Sequence, residues 1–275
     1  LSIRRQRQMC IRDRLKDMFN DFEFRDGVRL AGVNSINWAR VLAQVVYYFS
    51  SAVALGAPHR EVSFTVPTGN FGDIFAGYIA KRMGLPIDRL VIATNQNDIL
   101  HRAITTGRYD TSIVEPTITP SMDIQVSSNF ERALFDAYDR DGYAITRLMG
   151  ELKQGGFGIE EEALLTLQKY FDSGRATEKE TSRVIKSMFD SNGEVLCPHT
   201  AVGVKVANEN LSRTPMITLA TAHPAKFPDA VEASVGKRPV LPSWLADLFD
   251  RSERLTEMPN DLQLMKTLVR EHIKI

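Results

Sequence analysis

Residues 61–95, read as EVSFTV, PTGNFGD, IFAGYIAKRMG, LPID and RLVIATN, decide the fold. Residues 61–66 are a short β-branched and aromatic run ended by Pro67, the pattern of a buried strand. The glycine-containing turn follows at once. From Ile74 the apolar residues recur at helical spacing until Gly84 and Pro86 close the helix. Residues 89–95 then read as a second strand, with a further helix over 98–106. Strand, glycine loop, helix, strand is a βαβ unit. The expected fold class is therefore α/β, a parallel sheet with flanking helices and right-handed crossovers.

Working upstream, DGVRLAG at 26–32 is turn-rich and leads into NSINWARVLAQVVYYFSSAVALG. There Trp38, Val41, Leu42, Val45 and Phe49 recur at helical spacing, which predicts an amphipathic helix from about Ser35 or Asn37. Working downstream, the chain turns mainly helical after Ser121, with helices expected over 129–152, 160–170 and 177–189. The last opens on Thr177-Glu178-Lys179-Glu180, a capping-box pattern. Around Pro198 the α/β style returns: HTAVGVKVANENL reads as a helix, MITLAT as a buried strand and DAVEASVG as a helix. A polar, proline-punctuated tail carries a final helix near 262–272. The expected organisation is an α/β region over 15–125, a mainly helical subdomain over 126–195, and a C-terminal α/β return with its tail over 196–275. Residues 1–14, LSIRRQRQMCIRDR, hold five arginines and no apolar periodicity. They resemble translated adapter sequence or a basic arm, so they are expected to be non-native or disordered and are set aside.

Thirty-four basic and thirty-four acidic residues cancel, so no global field invites nucleic acid or an anionic membrane. Any anion site must be local. Cys10 and Cys197 stand far apart without His or Cys neighbours at metal spacing, which suggests neither a disulfide framework nor a zinc site. No apolar run approaches the roughly 18–20 residues of a membrane helix, and no basic-then-apolar leader opens the chain. The expectation is a cytoplasmic protein.

Three segments carry chemistry. In the turn Pro67-Thr68-Gly69-Asn70-Phe71-Gly72-Asp73, two glycines are expected to let the backbone curl with positive φ, so that amides at a helix start converge on one spot suited to a phosphate. The spacing matches neither the dinucleotide fingerprint nor the Walker pattern, and a plain tight βα turn is the alternative. Asn34-Ser35-Ile36-Asn37-Trp38-Ala39-Arg40 gathers amide, hydroxyl and guanidinium groups around a helix start, where an oxyanion could take all three. Helix capping is the plainer role for Asn34 or Ser35. Thr221-Ala222-His223-Pro224-Ala225-Lys226-Phe227 puts polar side chains at the carboxyl edge of a sheet, where α/β folds place ligands.

Taken together with TPSMDI at 119–124 and LCPHTAVGVKVA at 196–207, these segments resemble threonine synthases, pyridoxal-phosphate enzymes of fold type II, over nearly the whole chain. The resemblance implies that Gly69, Asn70, Phe71 and Gly72 cradle the phosphate of the cofactor, pyridoxal 5′-phosphate. It further implies that Thr221 meets the pyridine nitrogen with an uncharged hydroxyl, and that Asn34, Ser35 and Arg40 meet the phosphate of the small-molecule substrate, O-phosphohomoserine. His199, His223 and Lys226 fall near this edge with no step assigned. The expected reaction is γ-elimination of phosphate and hydration at the β carbon to give L-threonine. The family's Ser-Phe-Lys-Asp segment, whose lysine holds the cofactor, is not found here: Lys16, Lys81 and Lys153 lack its context, as do the other lysines. The fold is thus expected to be incomplete and the chain inactive by itself. A related phospho-lyase giving 2-oxobutyrate, and a non-catalytic phosphate-ester-binding module, stay open.

Overall fold

The computed structural model describes residue 11, residues 13–32 and residues 34–273. The described chain forms two compact units. The smaller joins the residues before Asn34 to those after Leu241. In it, Asp21 caps the helix Phe22–Gly27 and pairs with Lys266 of the helix Leu262–His272. The cations of Lys266 and Arg270 lie 5.3 and 5.2 Å from the Phe24 ring centroid. The arm expected over 1–14 lies outside the described residues except for 11, 13 and 14, which are helical.

The larger unit, Asn34–Leu241, is built on a four-stranded parallel sheet in the order β5-β2-β1-β6. Its strands are β1 (Val62–Pro67), β2 (Ile87–Thr94), β5 (Phe171–Arg175) and β6 (Met216–Thr218). Every residue of β1 is buried. In β2, Leu90 and Ile92 enter one apolar cluster while Val91 and Ala93 enter another, as the two-residue period of a strand covered on both faces requires. The helices of this unit are α1 (Trp38–Ala54), α2 (Gly72–Arg82), α3 (Ile99–Thr106), α4 (Phe130–Ala137), α5 (Gly142–Leu152), α6 (Glu161–Gln168), α7 (Glu178–Asn192), α8 (Pro198–Glu209) and α9 (Pro228–Val235). Helix α1 packs on α2, and α8 packs across all four strands. The predicted α/β class, with parallel strands and flanking helices, is the one observed.

Several elements differ from expectation. Residues 129–152 form two helices, α4 and α5, because Asp139 and Arg140 take left-handed conformations between them. Strand β5 lies inside the stretch read as helical. Phe-Asp-Ser-Gly-Arg has one apolar residue and no β-branched one, so only pairing with β2 makes it a strand. A small antiparallel pair, β3 (Arg108–Asp110) with β4 (Gly156–Gly158), was likewise unsignalled. The capping box of α7 is present, Thr177 and Glu180 bonding reciprocally. Strand β6 ends at Thr218 and is half-buried, shorter than expected, because it is the sheet's edge and pairs with β1 alone. On α1, Val41, Val45, Tyr48 and Ala52 face the core, whereas Leu42, Val46 and Val53 are exposed. Among the described residues no helix is long and apolar enough to cross a membrane, and no cluster of His, Cys, Asp and Glu could hold a metal.

Candidate functional site

Strand order reverses between β1 and β6: the chain runs from β1 outward through β2 to β5, then returns to the far side of β1. Crevices at the carboxyl ends of such a switch point are where open α/β sheets hold ligands. A cleft of about 650 Å³ opens there, lined by 67–73 after β1, 219–221 after β6, Ser121, and one face of α1. That face presents Arg40, Gln44, Tyr47 and Ser51, one helical stripe. Of the expected site residues, Ser35, Arg40, Gly69, Asn70, Phe71, Gly72 and Thr221 all line the cleft.

Asn34 does not join them. Its Oδ1 accepts from the Ile36 amide at 3.1 Å and its carbonyl accepts from the Asn37 amide, so both of its oxygens serve its own turn. Asn37 is the cap of α1, its side chain accepting from the Ala39 amide at 2.9 Å.

The glycine loop differs from its sequence reading in one physical respect. Positive φ falls on Phe71, at 64°, and on neither Gly69 nor Gly72. A bulky residue tolerates that conformation only when packing enforces it. Phe71 is 1% exposed, edge-on to Phe130 and Phe171 at 5.2 and 5.3 Å between ring centroids. Gly69 is needed for closeness: a methyl there would sit 2.5 Å from the Ser121 carbonyl oxygen.

Phe71 is also the N-terminal flank of α2, which carries no side-chain cap. The first amides of a helix have no intrahelical partner, so those of Gly72, Asp73 and Ile74 are available to a ligand. The loop carbonyls are tied back on the other side. Gly69 O accepts from Ser127 Oγ at 2.8 Å, and Asn70 O accepts from the Asn129 amide at 3.1 Å and from Asn129 Nδ2 at 3.0 Å. The same Nδ2 donates to Ser35 O at 2.7 Å, so the fully buried Asn129 joins the two halves of the site. Sequence reading saw Asn129 only as a helix start, and no local signal marks a contact reaching to Ser35. Gln44, Tyr47 and Ser51 were also missed, although their spacing from Arg40 was available.

Asp73 lies on the cleft wall, in the first turn of α2. The Tyr48 hydroxyl, on the buried face of α1, donates to Asp73 O at 2.8 Å and lies 3.4 Å from its Oδ1. Burial pushes the Asp73 carboxyl up to about 6, with the Tyr48 bond opposing. An acid whose pKa is raised by folding favours the native state at low pH, and that contribution is lost as pH rises through about 6. Asp73→Asn is therefore expected to stabilise the chain by about 3 kcal/mol at pH 8 and by well under about 1 kcal/mol near pH 4. Urea unfolding at the two pH values checks this; equal stabilisation at both would contradict the buried-acid account.

Comparison with known proteins bears on this geometry. Residues 200–269 match the family described as threonine synthase, C-terminal. The chain is 52% identical over 263 residues to a threonine synthase of Pseudomonas aeruginosa, an alignment covering 94% of this chain and 56% of that one. Its fold superposes on a PLP-bound threonine synthase from Brucella melitensis with a TM-score of 0.93 and 56% identity, covering 97% of this chain and 58% of the other. For the yeast threonine synthase the values are 0.84 and 40%, covering 94% and 56%. The chain thus spans a little over half the length of the relatives it matches. Sequence and fold agree that the chain belongs to the threonine synthase family.

Proposed function

We propose that this cleft binds pyridoxal 5′-phosphate beside O-phosphohomoserine and serves the conversion of O-phosphohomoserine and water to L-threonine and phosphate. The observation that carries the reading is the meeting of two separate anion-binding features in one cleft: the uncapped amino end of α2 and the guanidinium of Arg40. Two features suit two phosphates, one on the cofactor and one on the substrate. The residues fit the cofactor's phosphate, because the first turn of α2 is uncapped and the loop leading into it passes so close to Ser121 at Gly69 that no side chain fits there.

When bound, the cofactor supplies an electron sink for carbanion chemistry on the substrate. The amides of 69–72 hold its phosphate. Thr221 offers the ring nitrogen an uncharged hydroxyl, which brings no negative charge to hold a proton there. Arg40 and Ser35 grip the substrate phosphate, and Arg40 remains paired with it as charge grows on the leaving group.

Arg40→Ala is expected to weaken O-phosphohomoserine binding roughly tenfold to a hundredfold, the factor equivalent to one charge-assisted pair of about 1.5–3 kcal/mol. Pyridoxal 5′-phosphate binding should hold. Calorimetric titration with each ligand tests the assignment, which is lost if the variant sheds the cofactor and keeps the substrate. Release of 2-oxobutyrate in place of threonine would assign the same residues to a phospho-lyase. For the chain by itself, one observation favours binding without turnover: among the described residues lining the cleft, Arg40 is the only basic side chain.

A further inference from the structure

We propose that His199 is a positioning residue whose Nε2 holds the Ser121 amide, seating the Ser121 carbonyl against Gly69 and so fixing the loop whose amides take a phosphate. The inference rests on the phosphate-binding reading of that loop. Ser121 N–H donates to His199 Nε2 at 3.2 Å, and Ser121 O stands where a methyl on Gly69 would clash at 2.5 Å. The backbone of one residue thus links the imidazole to the glycine loop, and Ser121 itself lines the cleft.

Three features separate this ring from a core histidine that merely fills space. Accepting at Nε2 puts the ring proton on Nδ1, which is buried with no hydrogen-bond partner among the described residues. The ring is therefore oriented by Ser121 and not by saturation of its own nitrogens. Second, the ring is held neutral. Burial pushes His199 down to about 4, Lys226 reinforces the shift and Asp123 opposes it. An imidazolium would present a donor to the Ser121 donor and break the hold. Third, the segment 223–227 shelters it. His223 Nδ1 accepts from the Ala225 amide at 3.2 Å and caps the short turn Pro224–Lys226, which delivers Phe227 onto the His199 ring at 4.5 Å between centroids. His223, Lys226 and Phe227 thereby acquire a shared purpose: keeping His199 buried and uncharged.

The test compares His199→Phe, which keeps a ring and its volume but no acceptor, with His199→Gln, whose amide oxygen can accept near the Nε2 position. Equilibrium dialysis of the full chain uses pyridoxal 5′-phosphate and, as the control lacking phosphate, pyridoxal. The Phe variant is expected to lose about tenfold or more in affinity for pyridoxal 5′-phosphate and nothing for pyridoxal, with Gln restoring the loss to within about threefold. Amide exchange at Ser121 should accelerate in the Phe variant and stay slow in the Gln variant. In the wild-type chain, nitrogen NMR should find His199 neutral with its proton on Nδ1 at pH 6–8. A protonated Nε2, or a Phe variant with unchanged phosphate discrimination and unchanged Ser121 exchange, overturns the proposal. If the wild-type chain fails to prefer pyridoxal 5′-phosphate over pyridoxal, the phosphate reading of the loop falls. The tautomer and Ser121 exchange then still decide whether His199 holds the turn.

Discussion

Incubated with pyridoxal 5′-phosphate and reduced with borohydride, the 275-residue chain is expected to carry no stoichiometric pyridoxyl-lysine and to release no phosphate from O-phosphohomoserine. Covalent loading needs an uncharged amine at the cofactor's aldehyde. Among the described residues the basic side chain lining the cleft is Arg40, and a guanidinium remains protonated in proteins and makes no such bond. The remaining wall offers amides, hydroxyls, Gln44 and Asp73, which can bind a phosphate or a ring without replacing the amine. The effect is all or none: turnover absent, with reversible phosphate-dependent binding retained, because the loop is built locally at a βα turn. Peptide mapping by mass spectrometry with a parallel phosphate assay decides it. One modified lysine at unit stoichiometry together with turnover would place a catalytic amine in this chain and refute the expectation.

Phe71→Ala should lower stability by about 3–5 kcal/mol, the range for truncating a buried aromatic. That is a large part of the total stability of an ordinary domain. The ring is enclosed by Phe130 and Phe171, so its removal leaves a cavity between α4, β5 and the loop. A second comparison isolates the backbone. Alanine keeps the steric penalty of φ 64° while glycine does not, so Phe71→Gly should be more stable than Phe71→Ala by about 1 kcal/mol. At most buried positions the order is reversed. Chemical denaturation of the two variants at equal slope reads the difference directly, and an alanine variant more stable than the glycine variant would mean that the loop does not store strain at Phe71.

What was legible in the sequence was whatever a short window controls. β1, α2 and β2 followed from β-branched runs, a glycine turn and helical periodicity, and each was found within a residue or two at most ends. The same holds for the capping box at Thr177 and for the proline-initiated helix α8. Seven of the eight predicted site residues line one cleft because two of the motifs flank strand ends and the third opens α1, which packs on the helix that follows the glycine loop. Asn34 lies outside that lining for an equally local reason: its side-chain oxygen accepts from the amide two residues on, as short amides beside turns commonly do.

Tertiary structure decided everything that depends on distant neighbours. β5 is a strand because β2 offers it a ladder, and nothing in Phe-Asp-Ser-Gly-Arg announces that. The left-handed turn falls on Phe71 and not on a glycine because Phe130 and Phe171 enclose its ring, while Gly69 is required by a carbonyl fifty-two residues away. Asn129 bridges Ser35 and Asn70, and His199 reaches Ser121, through bonds spanning 94, 59 and 78 residues. The sequence by itself determined the βα unit, its phosphate-suited loop and the family resemblance, since hydrophobic period and turn chemistry are local properties. How that loop is held in shape was left to the packed structure, because a backbone turn of this kind is stable only when side chains from remote segments satisfy its carbonyls and enclose its strained residue.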